Sequence, residues 1–431
     1  MTYNHSLWHE QDYEDGVEVL KKLETIDLDK NATELERDFI SAVKILFKPE
    51  TEKSERDVAY AGFMEGLSKK YPDNHEVAAF YALSLLGSVP DGRDEELYGM
   101  GAKIALGILA ENPEHPGALH YTIHSYDDPK HAALALEAAN AYSKVAPDAS
   151  HALHMPSHIY VAMGMWDRVI ASNIDSYQAS LNRMERKELG NDDRGYHAFH
   201  WLEYGYLQQD NKEEARKMVW DMQRYMNETP SSRARVHMVF LKGTYLTETD
   251  EWESDIADIP VEVSDLNISV RSQYNFLEGM KGYTAKDTVE MDRIIAVMQA
   301  DIDRETYVQE FSSASLCSNV TRAEAAPSDI VTSKARQQQL IALREDLAGR
   351  HDAAEEHLQK SIELQESVSY SYGPPSIQKP TRELYADWLA DMGRYKEAEA
   401  QYSLAEKAGP KRRLITEGIQ NVSELLKDER S

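Results

Sequence analysis

The sequence predicts an all-α fold, a superhelix of antiparallel helix pairs (an α-solenoid). The first observation is a turn residue followed five residues later by a small or aliphatic one. This pattern occurs at four places: Gly164 with Val169, Asp210 with Ala215, Gly349 with Ala354, and Gly393 with Ala398. The second observation is that Pro113 and Pro147, each suited to close a helix pair, lie 34 residues apart. Because both features recur along the chain, we expect repeated helix hairpins.

A period near 34 residues, with a small residue early in the second helix, is typical of tetratricopeptide repeats (TPRs). We therefore predict a TPR-like array over residues 1–250 and a second one over 271–431. Residues 251–270 are acidic and contain Pro260, which favours a connection between the arrays over a further helix pair. We expect the two arrays to form one continuous superhelix.

The charge balance excludes some classes of partner. The 431 residues include 47 basic and 75 acidic side chains, a formal net charge of −28. Such an acidic surface repels phosphate backbones, so we predict no nucleic-acid partner. No stretch of eighteen apolar residues is present, so we predict no membrane span. A single cysteine, Cys317, excludes an internal disulfide and a zinc site built from thiolates. The N-terminus lacks a secretory pattern, so a cytoplasmic location is expected, with the periplasm as the alternative if the chain start is truncated.

Histidines are concentrated in one part of the chain: nine of the 15 fall between His115 and His200. We numbered each repeat so that its Gly or Asp turn occupies position 15. Seven of the nine clustered histidines then fall at positions 2, 5 and 9, which share one face of a helix. In TPR-like proteins this first helix lines the concave groove. We predict seven metal ligands on that face: His120, His124, His151, His154, His158, His197 and His200.

Imidazole pairs spaced i, i+4 on one helix commonly hold a transition metal. With imidazole dominant and no thiolate available, the candidate metals are Cu, Fe or Zn. The first pair reads His-Tyr-Thr-Ile-His, which excludes the zincin motif with its built-in glutamate base. Acid–base or orienting groups must therefore come from elsewhere, and we predict Asp127, Asp128 and Tyr204, with Glu203 as a further candidate base. The predicted substrate-binding residues are Tyr121, Tyr160 and Glu383.

Pro156 lies between two of the predicted ligands, His154 and His158. A proline inside a helix removes a hydrogen bond and clashes with the preceding turn. The helix must therefore start late or kink at this point. A kink would re-aim His151 and His154 relative to His158, which leaves open whether all three share one site.

Two motifs resemble a bacterial family of TPR proteins that carry His-Pro-Gly-Ala-x-His and His-Met-x-Ser-His-Ile. Here they read His115-Pro-Gly-Ala-Leu-His120 and His154-Met-Pro-Ser-His-Ile159. Asn4-His-Ser-Leu-Trp8 and the Gly373-Pro-Pro375 segment extend the likeness over most of the chain. The resemblance implies a TPR-like fold but no established reaction. Similar proteins often have helices before the Asn-His segment, and the resemblance adds His5 as a candidate contributor to the site.

Our leading hypothesis is a metal-dependent enzyme that acts on a small molecule or short peptide in the groove. Redox chemistry at Cu or Fe is slightly favoured over hydrolysis at Zn, because neutral imidazoles outnumber carboxylates. The alternative is a non-catalytic TPR scaffold that binds a peptide or partner protein. A histidine-lined groove without metal, and histidines that serve only packing, also remain open.

Overall fold

The computed structural model describes residues 11–311 and 325–428. His5 and Cys317 lie outside these ranges. The described residues form α-helices, two short 3₁₀ helices and connecting turns, without a β-strand. The predicted all-α, TPR-like class is confirmed. No helix in the described ranges is both long enough and apolar enough to cross a membrane.

The described residues divide into two compact units. The first unit comprises residues 11–126, and the second comprises 127–311 and 325–428. The helices of the first unit are α1 Tyr13–Glu24, α2 Leu28–Asn31, α3 Glu34–Leu46, α4 Lys53–Lys70, α5 His75–Gly87, α6 Glu95–Glu111 and α7 Pro116–Ser125. Its core contains buried residues of six of these helices, among them Leu46, Tyr60, Met64, Leu83 and Ile108.

The second unit begins with α8, and the 3₁₀ helices Ala132–Ala135 and Asn191–Asp193 precede α8 and α12. Its α-helices are α8 Leu136–Val145, α9 Ser150–His154, α10 Pro156–Ala162, α11 Trp166–Lys187, α12 Tyr196–Gln208, α13 Lys212–Glu228, α14 Ser232–Thr249, α15 Ile268–Thr284, α16 Thr288–Phe311, α17 Pro327–Leu347, α18 His351–Glu366, α19 Thr381–Asp391, α20 Tyr395–Ala408 and α21 Arg413–Asp428. Buried side chains from α12 to α21 form its main core.

The four turns predicted from the sequence have the backbone that a helix hairpin requires. Gly164, Asp210, Gly349 and Gly393 all have φ between 56° and 71°. This left-handed conformation ends the first helix of each pair, and glycine adopts it without strain. Each turn is followed by the second helix of its pair, so the turn residues define α10–α11, α12–α13, α17–α18 and α19–α20.

The small residues five positions after these turns explain why the pairs pack closely. Val169, Ala215, Ala354 and Ala398 are each 0% exposed. Each lies in the first turn of the second helix of its pair. A larger side chain at these positions would force the helices apart, since protein cores have no spare volume.

The stretch between α14 and α15, residues 250–267, contains no helix. Its acidic side chains are interspersed with apolar ones that are buried in the main core, including Trp252, Ile256 and Ile259. Lys242, itself fully buried on α14, donates to the carbonyl of Ile259 at 2.9 Å. The segment is therefore packed against the helices over most of its length.

The turn at Gly393 allows a test of backbone strain without a steric contribution. A Cβ added there would meet no atom within 4 Å, while φ is +71°. We expect Gly393→Ala to lower the free energy of unfolding by about 1 kcal/mol, because only the left-handed backbone opposes it. Gly66 of α4 likewise has open space where a Cβ would lie, but its backbone is helical, so Gly66→Ala should raise stability by about 1 kcal/mol. Denaturant unfolding followed by circular dichroism measures both, and changes of equal sign would contradict this account.

Candidate metal centre

The helix break predicted at Pro156 is present. The chain forms α9 up to His154 and restarts as α10 at Pro156, with Met155 between them. Proline at the first helical position costs little, because its missing N–H would have no partner there. The Ser157 hydroxyl donates to the carbonyl of His154 at 2.6 Å, which satisfies an acceptor at the break.

The break does not separate the two histidines of this motif. The Nε2 atoms of His154 and His158 lie 3.2 Å apart. A third imidazole, His197 of α12, joins them, and one ring nitrogen from each of the three residues lies within 4.8 Å of the others. We call His154, His158 and His197 the histidine trio. His154 and His158 are each 3% exposed, whereas His197 is exposed, so the trio has a buried and a solvent-facing side.

The orientation of His154 is set by Asn173 of α11. The Nδ1 atom of His154 lies 2.7 Å from Asn173 Oδ1, and the Asn173 amide nitrogen donates to the carbonyl of Val169 at 2.8 Å. The second hydrogen bond identifies which end of the amide faces the imidazole. His154 Nδ1 must therefore carry the proton and donate, which leaves the lone pair on Nε2.

The orientation of His158 is set in the same way, but by a carboxylate instead of an amide. Its Nδ1 atom lies 3.2 Å from Asp127 Oδ2, and both side chains are almost fully buried. Donation from Nδ1–H to the carboxylate again leaves the lone pair on Nε2. Carboxylate or carbonyl acceptors behind ligating histidines are a regular feature of metal sites, since they fix the tautomer and make the imidazole more basic.

Trp201 of α12 packs against all three imidazoles. Its ring centroid lies 4.7 Å from those of His154 and His158 and 5.4 Å from that of His197. The indole is 2% exposed. Because it fills the space beside the trio, it restricts the rotation of the rings and keeps water from that side.

The loop between α18 and α19, residues 367–380, extends over the trio. Tyr372 lies against His158, with ring centroids 4.6 Å apart. Gly373 has φ of +91°, and a Cβ there would lie 2.2 Å from Trp201 Cζ2. Only glycine fits this position, for both conformation and space. The Gln378 amide donates to the carbonyl of Phe240 at 3.0 Å, which ties the loop to α14.

Burial and the neighbouring imidazoles keep His154 neutral. Desolvation lowers the pKa of His154 well below 6.5, and the nearby His197 and His158 lower it further, while the Asn173 hydrogen bond acts in the opposite direction. Neutral imidazole is the form that binds metal. The facing Nε2 lone pairs of His154 and His158 repel each other unless a cation or a shared proton lies between them.

The remaining predicted ligands of the second unit are placed differently. His200 Nε2 lies 2.9 Å from the Thr244 hydroxyl, and its ring packs on Phe240. His200 belongs to none of the metal-compatible groups found among the described residues. His151 lies on α9, where it is exposed. Five of the predicted ligands belong to the second unit. Of these, His154, His158 and His197 lie together, whereas His151 and His200 do not belong to their group.

The other predicted pair belongs to the first unit. His120 and His124 both lie on α7, are 8% and 5% exposed, and have ring centroids 4.7 Å apart. Tyr121 packs between two clusters of the first unit's core, with its ring 5.6 Å from that of His120. His115, which begins the same motif, has a structural role, since its Nδ1 caps α7 by accepting from the Ala118 amide at 3.2 Å.

Three of the four predicted acid–base residues have a hydrogen-bond partner, whereas Glu203 of α12 is 0% exposed and its carboxylate oxygens accept no hydrogen bond from the described residues. Asp127 accepts from His158, as described above. Asp128 accepts from the His131 imidazole at 2.8 Å and from the Lys130 amide at 2.9 Å, so it stabilises a turn. Tyr204 accepts a hydrogen bond from Arg412 at 3.0 Å.

The predicted substrate residues of the second unit are also engaged within the fold. The Tyr160 hydroxyl donates to Asn140 of α8 at 2.8 Å. Glu383 is 0% exposed and pairs with Arg412 and Lys379 at 2.7 and 2.8 Å. Burial opposes ionisation of Glu383, but the two cations prevail and hold its pKa well below its usual value.

Sequence reasoning missed Asn173 and Trp201 and gave no role to Tyr372. Asn173 lies on the second helix of its pair, whereas the register considered only the first. Trp201 is adjacent to His200 and one turn from His197, so its place in the helix period was a usable signal. The Gly373-Pro-Pro375 segment stands out in the sequence, but nothing in it indicates which part of the fold the loop covers.

Acid should destabilise the second unit through the partly buried His200. Desolvation, and to a lesser extent the charge on His237, lowers the pKa of His200 to about 3. Below pH 6.5 the unfolded chain binds a proton that the folded chain does not, so this contribution to stability falls as pH falls. Between pH 6.5 and 5 the loss amounts to about 2 kcal/mol.

We expect His200→Gln, measured by urea unfolding with a chelator present, to lose about 2 kcal/mol less stability than the wild type between pH 7 and 5. His351→Gln, which removes a half-exposed imidazole of α18, is the control substitution. If the free energy of unfolding depended on pH in the same way in the wild type and in His200→Gln, the lowered pKa of His200 would be contradicted.

Comparisons with known proteins bear on the architecture alone. No family model and no curated protein sequence matches the chain. Among solved structures it is similar to a monomeric mutant of IFIT1 with m7Gppp-AAAA, at 14% identity and a TM-score of 0.43, over 97% of this chain and 79% of that one. The human IFIT1 dimer with m7Gppp-AAAA has 13% identity and a TM-score of 0.39, over 96% of this chain and 85% of that one. The P58(IPK) TPR domain has 13% identity and a TM-score of 0.21, over 98% of this chain and 100% of that one. At these identities, and with TM-scores below 0.5, the likeness carries no inference about function.

Proposed function

We propose that this chain is a TPR-like scaffold that binds a transition-metal ion through the histidine trio. The observation that carries the proposal is the 3.2 Å separation of His154 Nε2 and His158 Nε2. Two nitrogens bound to a tetrahedral Zn²⁺ at 2.0–2.1 Å are about 3.3 Å apart. The two imidazoles thus have the spacing that coordination requires, and Asn173 and Asp127 hold both in the ligating tautomer.

The donor set limits the choice of metal. Three neutral imidazoles suit Zn, Cu or Fe, whereas Mg and Ca prefer oxygen ligands. His197 is the exposed member, so an ion held by the trio would keep one or more positions open towards solvent. A ligand such as water or a carboxylate from a small molecule or peptide would complete the shell there.

Metal binding, rather than catalysis, is the function that these contacts favour. A general base must lie within reach of substrate. The predicted candidates Asp127, Asp128 and Tyr204 are engaged with His158, His131 and Arg412. Glu203, the fourth candidate, is 0% exposed. Catalysis, by redox chemistry or by hydrolysis, is the second candidate, favoured by the open side of the trio. Membership of the bacterial family with the two histidine motifs stays a prediction.

Metal titration of untagged, metal-free protein tests the proposal. We expect His154→Ala to lose one equivalent of bound Zn²⁺ or Cu²⁺ relative to the wild type, because two remaining imidazoles hold an ion much less tightly. His131→Ala removes a partly exposed histidine outside the trio and should keep the full stoichiometry. Equal stoichiometry in all three proteins, or no uptake by the wild type, would eliminate the trio as a metal site.

The residue behind His154 offers a finer test. Asn173→Ala should weaken metal affinity about 10- to 100-fold while the trio itself stays intact, because His154 loses the acceptor that fixes its tautomer. Ser172 is the matched control, since its hydroxyl also links α11 to α9, through the Leu153 carbonyl at 2.5 Å, but touches no imidazole. An equal loss of affinity in Ser172→Ala would mean that helix packing, not the histidine hydrogen bond, is responsible.

A further inference from the structure

A cavity of about 290 Å³ lies in the second unit and is lined in part by the loop that extends over the trio. Gly373 belongs to both places, since it lines the cavity and contacts Trp201. The cavity lining includes none of the trio histidines, although Val161 and Tyr204 come from the same helices, α10 and α12. It is a separate space next to the candidate metal centre.

The walls are mainly apolar and aromatic. Trp166 and Tyr204 meet edge to face with ring centroids 5.5 Å apart, and Tyr370 of the loop adds a third aromatic ring. Ile362 and Ile415 provide aliphatic surface from α18 and α21. A concave, largely apolar pocket with a few polar groups is the usual form of a small-molecule site.

The volume indicates the size of the occupant. An apolar cavity of about 150 Å³ holds one benzene molecule. A cavity near 290 Å³ therefore matches a molecule of about two fused rings. Planar rings also suit the aromatic walls, because they can stack or meet edge to face with Trp166 and Tyr204.

The charges around the cavity favour a neutral occupant. Arg412, 1% exposed, is the buried cation of the lining, and it pairs with two buried carboxylates, Glu248 and Glu383. Its charge is therefore already balanced, and an anion would gain little from it. At the rim, Arg382 pairs with Glu366 at 2.5 Å, so this second cation is also neutralised.

Tyr204 supplies a buried polar group that can select the ligand. Tyr204 accepts from Arg412 through its hydroxyl oxygen, and no acceptor for its own proton occurs among the described residues. Burial raises the pKa of Tyr204, although Arg412 opposes the shift, so the hydroxyl keeps its proton at neutral pH. A buried O–H of this kind is stabilised by an acceptor on a bound molecule.

We propose that this cavity binds a small, uncharged, two-ring aromatic molecule whose carbonyl or similar acceptor receives the Tyr204 hydrogen bond. The inference does not rest on the metal site, and it is tested on metal-free protein so that the two proposals can fail separately.

Coumarin, which has two rings and a carbonyl, and naphthalene, which has two rings and no acceptor, serve as probes in calorimetric titrations. We expect coumarin to bind saturably, with one molecule per chain. Ala408→Trp should weaken this binding at least about tenfold, because Ala408 lines the cavity and the indole would occupy it. Ala400 is exposed on the same helix, α20, and does not line the cavity, so Ala400→Trp should bind as the wild type does.

The Tyr204 hydrogen bond is tested with Tyr204→Phe. This variant should bind coumarin roughly fivefold more weakly and naphthalene with unchanged affinity, because one hydrogen bond of about 1 kcal/mol is lost. Saturable coumarin binding that survives Ala408→Trp, or the absence of such binding in the wild type, would overturn the proposal. Equal weakening of both probes in Tyr204→Phe would overturn the assigned role of its hydroxyl.

Discussion

The arrangement of the candidate site depends on two hydrogen bonds made by the far nitrogens of its imidazoles. Asn173 accepts from His154 Nδ1, and Asp127 accepts from His158 Nδ1, so both rings turn their Nε2 lone pairs towards the same point. Neither ring can escape this orientation, because both are buried and both touch Trp201. Two lone pairs held 3.2 Å apart repel each other, and a cation between them converts the repulsion into two bonds.

The helical repeat supplies the rigidity that this arrangement needs. His154, His158 and Asn173 belong to one helix hairpin, α9 to α11, and His197 and Trp201 come from the next one, at α12. The left-handed turn at Gly164 and the fully buried Val169 hold the first hairpin together. The loop with Tyr372 and Gly373 adds a cover from a distant part of the chain. Sites built on helices with packed supports are more precise than sites built on loops.

Local patterns in the sequence predicted the fold and part of the site. The turn residues and the small or aliphatic residues five positions later could be read directly, because the conformation and packing of a hairpin depend on residues close in sequence. The repeat register placed His154, His158 and His197 on one face, and the structure brings these three together. The register alone could not show that His200 lies outside the trio, because its hydrogen-bond partner, Thr244, is 44 residues away in the sequence. Asn173, Trp201 and Tyr372 act through tertiary contacts, for which the register holds no information.

X-ray absorption spectroscopy of the metal-loaded protein tests the central claim most directly, because it reports the atoms bound to the ion. We expect a first shell with three imidazole nitrogens at about 2.0–2.1 Å for Zn²⁺, and one imidazole fewer in His197→Ala. A shell with one imidazole or none in the wild type, or a spectrum unchanged in His197→Ala, would contradict coordination by His154, His158 and His197.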